Sequence, residues 1–547
     1  MTRILPLLCL LPMQVFADCQ QLTIDEQASV VGVDATIREI RFVRNDIFDL
    51  DQKRSFWFHR FANDYHVITT EQTLRQDLLF KSGDKLDPSL VAETERLLRS
   101  RRHLRKAQIY VSEYCAATNE VVLTVESWDN WSLLPKLGFG HEGGATKITL
   151  GLAEDNLWGT GNQAQVEYFS DSERDGYKTK WFAPNIAGSH WQSSLQYANS
   201  SDGESYQFGV SLPFYQQSSE WAFHFDTTKD IKDVSEYARG EVYNEYQSKQ
   251  QQLDVGAGWK LWQQDAQVQH LSAGIRLDDW HFNANEQSVL PAPEDRDLSS
   301  VWFSWDFIDA DYRELTNFNL FNRIEDINFG WQLQATYGLL SPGLGAYESG
   351  HWWELKAEKN YQLTEGSWLV FRSNLQQLDR SSRPLQRLLS TDFKYIRHLD
   401  DNQVLIAQLR WFDGKNLFRD QFIAVGGDEG MRAFPLNYQV GNKAMLASLE
   451  YRYITGMNLY QLVDVAFAGF ADVGKAWDNP QTPPGPDNGT LRGYGVGLRL
   501  FPSHSSRGSM ISIDLAHPIT DNPEIAGWNL RLIAKKAVLN SYASTYC

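Results

Sequence analysis

Strict alternation of apolar and polar residues over most of the chain is the feature that most constrains its fold. Alternation with a period of two is typical of β-strands that have one apolar face. Segments of this kind, separated by turn residues, follow one another from about residue 133 onward. In four of them the apolar positions are Tyr206, Phe208, Val210 and Leu212; Leu253, Val255, Ala257, Trp259 and Leu261; Trp353, Leu355 and Ala357; and Leu449, Tyr451 and Tyr453.

A soluble sandwich and a membrane barrel both show such alternation, so length and composition have to decide between them. A sheet of about 400 residues exceeds an ordinary sandwich, and closure into a barrel removes its exposed edges. After Ala17 no stretch approaches the roughly 20 consecutive apolar residues of a transmembrane helix. Aromatic residues make up 13% of the chain, which suits the aromatic girdles of a barrel. At about 25 residues per strand, we expect a mainly β protein with a transmembrane antiparallel β-barrel of about 16 strands.

The N-terminus predicts export. Arg3 precedes an apolar run from residue 4 to residue 16 that only Gln14 interrupts, and Ala17 follows at the cleavage position. This is the pattern of a secretory signal peptide, and the run is too short to span a bilayer. We therefore expect a signal peptide at 1–17 and an N-terminal tail at 18–35.

A small α/β domain is predicted at 36–128, because this region reads strand, helix, helix, strand, strand. Thr69 is placed to cap the first helix, with Gln72 three residues later. Asp87 is placed to cap the second helix, and Pro88 suits its first position. The remaining chain, 129–547, is assigned to the barrel.

Cysteine usage predicts one disulfide. Loss of Cys9 with the signal peptide leaves Cys19, Cys115 and Cys547 in an oxidising compartment. We expect a bridge between Cys19 and Cys115, with Cys547 left free.

Enzymatic and nucleic-acid functions are not expected. The chain contains no nucleophile elbow, no P-loop and no His-Glu-x-x-His motif, and its cysteines and histidines suit no metal site. A net charge of −18 would repel nucleic-acid phosphates. We therefore expect no catalytic residue, no metal, no cofactor and no nucleic-acid partner.

Three motifs resemble one protein family. An Asn-Leu-x-Gly-x-Gly turn spans 156–161, a Gly-Gly pair precedes an Arg-x-Phe tip in 426–434, and a Phe-x-Asp-x-Gly strand spans 470–474. Together they resemble the outer-membrane protein assembly and translocation superfamily that includes BamA, TamA and the two-partner secretion transporters. The order of elements in 36–128 resembles the POTRA domain of these proteins.

The resemblance implies a long loop that folds into the lumen and is locked there by an arginine-aspartate pair. Arg432 would meet Asp472, although Met431 and Ala433 depart from the family's usual Val and Gly beside the arginine. The residues that the resemblance assigns to this site are Arg432, Asp472, Phe434, Gly426, Gly427, Phe470 and Gly474.

By the same resemblance, the protein would assemble, insert or translocate proteins at the outer membrane, while a periplasmic POTRA domain captures the client. The expected partners are outer-membrane lipids, an unfolded or secreted client, and periplasmic chaperones or accessory assembly proteins. A passive porin or uptake channel would have the same alternation. A dedicated exporter of one secreted partner is a second alternative, although such exporters usually carry two POTRA domains. A third is a secreted β-rich enzyme or lectin.

Overall fold

The computed structural model describes residues 19–22, 34–50, 56–142, 145–319, 324–427, 430–478, 489–504, 509–523, 525 and 527–536. The predicted signal peptide and Cys547 lie outside these ranges, as does most of the predicted N-terminal tail. Among the helices of the described ranges, none is long and apolar enough to cross a membrane.

In the described residues before residue 130, the chain forms a small mixed sheet and three helices. In chain order these elements are β1 (Gln20–Gln21), β2 (Thr36–Asn45), α1 (Trp57–Tyr65), α2 (Glu71–Gln76), α3 (Pro88–Ser100), β3 (Leu104–Cys115) and β4 (Glu120–Asp129). The sheet has the order β1-β3-β4-β2, in which β2 runs parallel to β4 and the other pairs are antiparallel.

Caps fix the starts of α2 and α3. The Asp87 side chain accepts a hydrogen bond from the amide of Ser89 at 2.8 Å, as expected for the cap of α3. At α2 the cap is Thr70, one residue beyond the predicted Thr69. Thr69 instead donates its amide and its hydroxyl to the Asp129 carboxylate.

The chain divides into two compact units. The first comprises the residues up to 47 together with 68–129, and the second comprises 48–67 together with the chain from residue 130. The segment 48–67, which contains α1, therefore groups with the barrel, although the sequence placed it inside the domain 36–128. The two buried side chains of α1 are His59 and Ala62, and His59 explains this grouping because it bonds a barrel turn.

The second unit is a closed antiparallel β-barrel. Its wall consists of β5 (Leu133–Glu142), β6 (Ala145–Leu157), β7 (Asn162–Ser170), β8 (Asp175–Ala183), β9 (Gln192–Ser200), β10 (Gly203–Leu212), β11 (Trp221–Ala238), β12 (Glu241–Gln264), β13 (Gln267–Ala284), the short β14 (Arg296–Asp297), β15 (Ser300–Asp309), β18 (Gln332–Leu340), β19 (Gly350–Thr364), β20 (Ser367–Arg380), β21 (Arg383–His398), β22 (Gln403–Lys415), β25 (Lys443–Leu459), β26 (Val463–Trp477), β27 (Leu491–Pro502), β28 (Ser509–Pro518) and β29 (Asn529–Lys536). Two separate hairpins pair β16 (Tyr312–Thr316) with β17 (Ile324–Asn328) and β23 (Ile423–Val425) with β24 (Gln439–Gly441).

The barrel is confirmed, but it has more strands than the expected 16 or so. Over the described residues the wall has twenty long strands besides β14. Several connections are very short, such as 201–202 and 381–382. Each strand with its connection therefore uses fewer residues than the roughly 25 assumed from the sequence.

Closure of the wall depends on a weak junction. Among the described residues, the last strand, β29, pairs with the first wall strand, β5, only at Leu532–His141. By contrast, β28 and β29 are paired from Ser509–Lys536 to Ala516–Asn529. We call the β29–β5 contact the closing junction.

The two faces of the wall differ as alternation predicts. On β25, Leu449, Tyr451 and Tyr453 are exposed on the outside, whereas Glu450 is buried on the inside. We call the end of the barrel at which β5 begins the proximal end and the opposite end the distal end. From strand direction, the β16–β17 connection enters at the proximal end, and the connection 416–442 enters at the distal end.

Candidate functional site in the barrel lumen

The candidate site is centred on residues 416–442, which we call the lumen loop. It joins β22 to β25, and its β23 and β24 pair with each other. Residues 428 and 429 lie outside the described ranges. Every residue that the resemblance assigned to the site is described.

Glycines shape the turn at the tip of the loop. Gly426 has a φ of 147°, and a Cβ there would lie 2.2 Å from the carbonyl oxygen of Pro435. The amide of Gly427 donates to the carbonyl of Phe434 at 3.1 Å, which closes the tip on itself. Gly430 has a φ of 103°, and a Cβ there would lie 2.3 Å from Nη2 of Arg410. Only glycine fits such left-handed, crowded positions without strain.

The structure brings Arg432 and Asp472 together inside the barrel. Nε of Arg432 donates to Oδ2 of Asp472 at 2.8 Å, and Nη2 donates to Oδ1 at 2.7 Å. Nη1 donates to Glu450, and Nη2 also donates to the Ser448 hydroxyl. The guanidinium lies 3.5 Å from the ring centroid of Phe470. This fork-to-fork geometry with a stacked aromatic ring is one that a lysine could not reproduce.

The pair is one part of a longer charge network along the inner wall. Arg499 donates to Glu450 and also to Asp514, and Arg531 donates to the second oxygen of Asp514. Arg452 donates from Nε to Oε1 of Glu450. The network therefore runs from the loop tip through β25, β27 and β28 to β29. Sequence reasoning missed these partners, because each is an ordinary inward position of a different strand.

Because its charges are buried, the network is costly to disrupt. Arg432, Glu450, Asp472, Arg499 and Asp514 are all buried. Desolvated charges are tolerated when several hydrogen bonds to opposite charges compensate them, and the loss of one partner leaves the other uncompensated. The arrangement holds the loop in one place.

A cluster of buried apolar residues beside the charge network accommodates Met431 and Ala433, the two residues that depart from the family pattern. Met431 and Ala433 are buried, as is Phe434. A Cβ on Gly474 would lie 2.9 Å from Sδ of Met431, and one on Gly493 would lie 2.9 Å from Cβ of Ala433. Glycines in the wall thus provide the room that the larger tip residues need.

The loop tip also bonds the last strand. Nδ2 of Asn529 donates to the carbonyl oxygen of Ala433 at 2.9 Å. Arg531, two residues later on β29, belongs to the charge network. The next residue, Leu532, supplies the closing junction. Loop position and barrel closure are therefore coupled through one strand.

Two further ion pairs, which the sequence did not predict, hold the beginning of the loop. Arg419 forms a two-point contact with Glu236 at the end of β11. Arg296 donates to both oxygens of Asp420 at 2.7 and 2.6 Å, and its guanidinium lies 4.0 Å from the ring centroid of Phe418. The loop therefore spans the lumen, from β11 and β14 on one side to β25–β29 on the other.

A second insertion occupies the proximal half of the lumen. The β16–β17 hairpin and its flanks bury Phe318, Ile327 and Phe329. Their bed is a patch of inward apolar residues on the wall, comprising Trp368, Val370, Ile396, Val404, Ile406, Ile454, Ala466 and Phe501. The Lys394 ammonium donates to Asn319 of the hairpin at 2.9 Å. Barrel interiors are ordinarily polar, so this apolar patch is specific to the hairpin.

The remaining predicted residues lie apart from this site. A disulfide joins Cys19 of the N-terminal strand region to Cys115 at the end of β3. The Asn156 side chain, near the end of β6, accepts a hydrogen bond from the amide of Gly161 at 2.9 Å. Within the described ranges, no cluster of three or more His, Cys, Asp or Glu side chains could hold a metal ion.

The chain resembles solved β-barrel structures at low identity. It is similar to BamA from Haemophilus ducreyi lacking POTRA domains 1–3, with 13% identity, 92% of this chain and 84% of that chain covered, and a TM-score of 0.39. It is similar to CdiB from Escherichia coli, with 13% identity and a TM-score of 0.47. That match covers 92% of this chain and 77% of the CdiB chain. It is also similar to OccK10 (OpdN) from Pseudomonas aeruginosa, with 12% identity and a TM-score of 0.33. That match covers 68% of this chain and 96% of the OccK10 chain.

The search with family models and the search of curated proteins found no match. Similarity at these TM-scores says nothing about activity, so the function is argued from the contacts in the lumen.

Proposed function

We propose that this chain is an outer-membrane β-barrel that assembles, inserts or translocates proteins. The observation that carries the proposal is the lumen loop, which Arg432 ties to the inner wall and which Asn529 ties to the last strand. A loop so anchored beside a closing junction of one residue pair is suited to controlling whether the wall opens. No nucleotide or cofactor enters the proposal.

The outer-membrane location is supported by the exterior of the barrel. Large apolar side chains are exposed along successive strands, for example Leu152, Val166, Phe303 and Val496. Such a band is costly in water and favourable in lipid. The small domain would then lie in the periplasm.

Capture of a client is proposed for the free edge of the small domain's sheet. β2 is an edge strand, because among the described strands it pairs only with β4. Its beginning is covered, since Thr36 forms a bridge with Lys85 and Ile37 bonds Gly83 and Asp84, so capture is proposed for the part from Arg38 to Asn45. The opposite edge is covered by β1, which the Cys19–Cys115 disulfide holds on β3. An incoming extended segment could therefore add to β2, with backbone hydrogen bonds that tolerate many sequences.

A photo-crosslinking experiment tests this capture. A photoreactive amino acid at Val43, which is exposed on β2, should crosslink the client, whereas the same group at exposed Ala117 in the β3–β4 turn should not. Equal crosslinking from both positions would contradict capture at the edge.

The passive porin is the main competing function, and the filled lumen argues against it. A planar-bilayer recording of the purified protein should show little steady conductance, since the lumen loop and the β16–β17 hairpin occupy the interior. Depletion of the protein from cells should then reduce particular outer-membrane or secreted proteins rather than solute uptake. Loss of one secreted protein alone would favour the dedicated exporter. Steady conductance together with an unchanged protein profile would refute our proposal.

A further inference from the structure

The helix α1 exposes a row of aromatic side chains. Trp57, Phe61 and Tyr65 have 80%, 48% and 74% of their surface exposed. Residues four positions apart lie on the same side of a helix, so these rings form one stripe. The rings of Phe61 and Tyr65 lie 4.5 Å apart. Three exposed large aromatics on a nine-residue helix are unfavourable in water and need a cover.

The other sides of α1 are accounted for. His59 and Ala62 are buried, and a hydrogen bond of 2.9 Å joins Nε2 of His59 to the carbonyl oxygen of Tyr460. The Phe56 ring lies 5.4 Å from the Tyr460 ring in an edge-to-face arrangement. Tyr460 lies in the turn between β25 and β26, so the helix is fixed to the proximal rim of the barrel.

The rest of the segment is fixed to two other proximal turns. Nδ2 of Asn156 donates to the carbonyl oxygen of Val67 at 3.2 Å. At the opposite end of the segment, the Phe48 ring lies 4.7 Å from the His504 ring. The segment 48–67 is thus held at both ends and in its middle, and the aromatic stripe has a defined place at the rim.

The stripe continues the outer apolar face of the wall. Tyr453, Met457 and Leu459 are exposed on the outer face toward the end of β25, and exposed Tyr460 follows them directly. From Tyr460, the ring contact with Phe56 leads to α1. If the wall lies in lipid, its proximal boundary falls in this region, where Trp and Tyr are enriched because one side of each ring is apolar and the other polar.

Polar residues adjoin the stripe on the helix. Arg60 and Asp64 are exposed, and at 100° per residue they lie next to Trp57 on the side away from Tyr65. The sequence just before the helix contains Lys53 and Arg54. An aromatic side bordered by charged residues is typical of helices that lie in the plane of a membrane surface.

We infer that α1 lies in the lipid head-group region at the proximal side of the membrane, with Trp57, Phe61 and Tyr65 inserted among phospholipids. This inference rests on the membrane location proposed above. The helix would then set the depth of the barrel on the side of β25 and β26.

Spin-label accessibility in vesicles tests the inference with the full-length protein. In a Cys547→Ser background, Phe61→Cys, Asp64→Cys and Leu449→Cys each receive one nitroxide, and the native disulfide stays intact without reductant. The proteins are reconstituted in vesicles of phosphatidylethanolamine and phosphatidylglycerol. Collision with oxygen, which concentrates in lipid, is compared with collision with a water-soluble nickel chelate.

The label at Phe61 should have an oxygen-to-nickel collision ratio at least several-fold above that of the label at Asp64, its matched control on the same helix. The label at Leu449 reports the membrane location of the wall independently. A Phe61 label as water-accessible as the Asp64 label, beside a lipid-exposed Leu449 label, would overturn the inference alone. Water exposure at Leu449 would overturn the membrane location as well. Shielding of Phe61 from both reagents would indicate a protein cover and also overturn the inference. Heat-modifiable migration checks that each variant has folded.

Discussion

At the scale of single residues, Arg432 has the most distinctive surroundings in the lumen. It meets two carboxylates, a hydroxyl and an aromatic face while buried from water. Its partners lie on β25 and β26, which pair without interruption from Lys443–Trp477 to Ile454–Ala466. The loop is thus pinned to a rigid surface.

A double-mutant cycle tests this lock. We expect Arg432→Ala and Asp472→Ala each to destabilise the loop by about 3 to 5 kcal/mol, because each leaves a buried charge without its main partner. The double variant should be little worse than either single one, since the removed interactions are shared. Urea denaturation of the refolded barrel, with protease cleavage of the loop as a second readout, measures these differences.

Arg432→Lys is the matched control for charge without geometry. It should stay well below the parent in stability, because an ammonium group cannot form the two-point contact. Additive effects of the two alanine substitutions, or loops as protease-resistant as in the parent, would show that the two residues are not a lock.

Sequence reasoning located Arg432 and Asp472 because both match motifs of the family that the sequence resembles. It could not locate Glu450, Arg499 and Asp514, which become neighbours only when strand register is fixed. A one-residue change of register would turn each of them to the outer face. The same limitation applies to Arg296 and Asp420, which are 124 positions apart.

At the scale of elements, the β16–β17 hairpin is a second closure of the lumen. Its buried side chains Phe318 and Phe329 face inward apolar residues of the wall. A conducting path through the barrel would have to pass both this hairpin and the lumen loop. Release of the loop alone is therefore expected to raise conductance only modestly.

Loosening both insertions should open the lumen. We expect Phe318→Ser with Phe329→Ser to raise single-channel conductance slightly, and the same pair combined with Arg432→Ala to raise it far more than the sum of the separate increases. Tyr312→Ser, at an exposed position of the same hairpin, is the control and should leave conductance unchanged. Large conductance from the hairpin variant alone would mean that the loop does not close the lumen.

The cap of α3 gives a prediction for the small domain. Hydrogen bonds from the Ser89 hydroxyl and from backbone amides lower the pKa of Asp87. A carboxylate with a lowered folded pKa stabilises the fold above its unfolded pKa of about 3.9, and this stabilisation disappears as pH falls through the folded pKa. Asp87→Ala should destabilise α3 by about 1 kcal/mol at neutral pH, and Asp87→Ser should largely preserve it.

Hydrogen exchange of residues 88–100 in the full-length protein measures this effect. Below pH 4, the protection of these residues in the parent should fall toward their protection in Asp87→Ala. In the variant, protection should vary little with pH over the same range. An equal difference between the two proteins at every pH would contradict the role of the ionised cap.

Among the elements, α3 was predictable because Asp87 and Pro88 mark its start. α1 was not, because it begins after Phe56, whose side chain offers no cap hydrogen bond. The amide of Phe56 instead donates to Nδ1 of His59, a substitute that no simple rule anticipates. Strand existence followed from alternation, whereas the number of strands depended on turn lengths that alternation does not reveal.

At the scale of the whole molecule, the exterior separates a membrane barrel from a soluble one. Val496 lies in the middle of β27 with 59% of its surface exposed. Val496→Arg should destabilise the barrel in lipid by about 2 to 4 kcal/mol if this position lies near the bilayer midplane. At an exposed position of a water-soluble protein the same change would stay within about 0.5 kcal/mol.

Folding titrations in lipid vesicles provide the measurement, with Val496→Leu as the control that keeps the position apolar. A neutral result for Val496→Arg would remove the support that the exterior gives to a membrane location.

The twenty-strand wall has a consequence for the cell that carries it. Barrel diameter grows with strand number, and walls of 16 to 18 strands already enclose water-filled channels. An empty wall of this circumference would be a hole through which nutrients, antibiotics and bile salts pass alike. If the barrel lies in an outer membrane as proposed, the lumen loop and the hairpin each block this opening, and cells that make the protein should become measurably leaky to bulky drugs only when both are displaced.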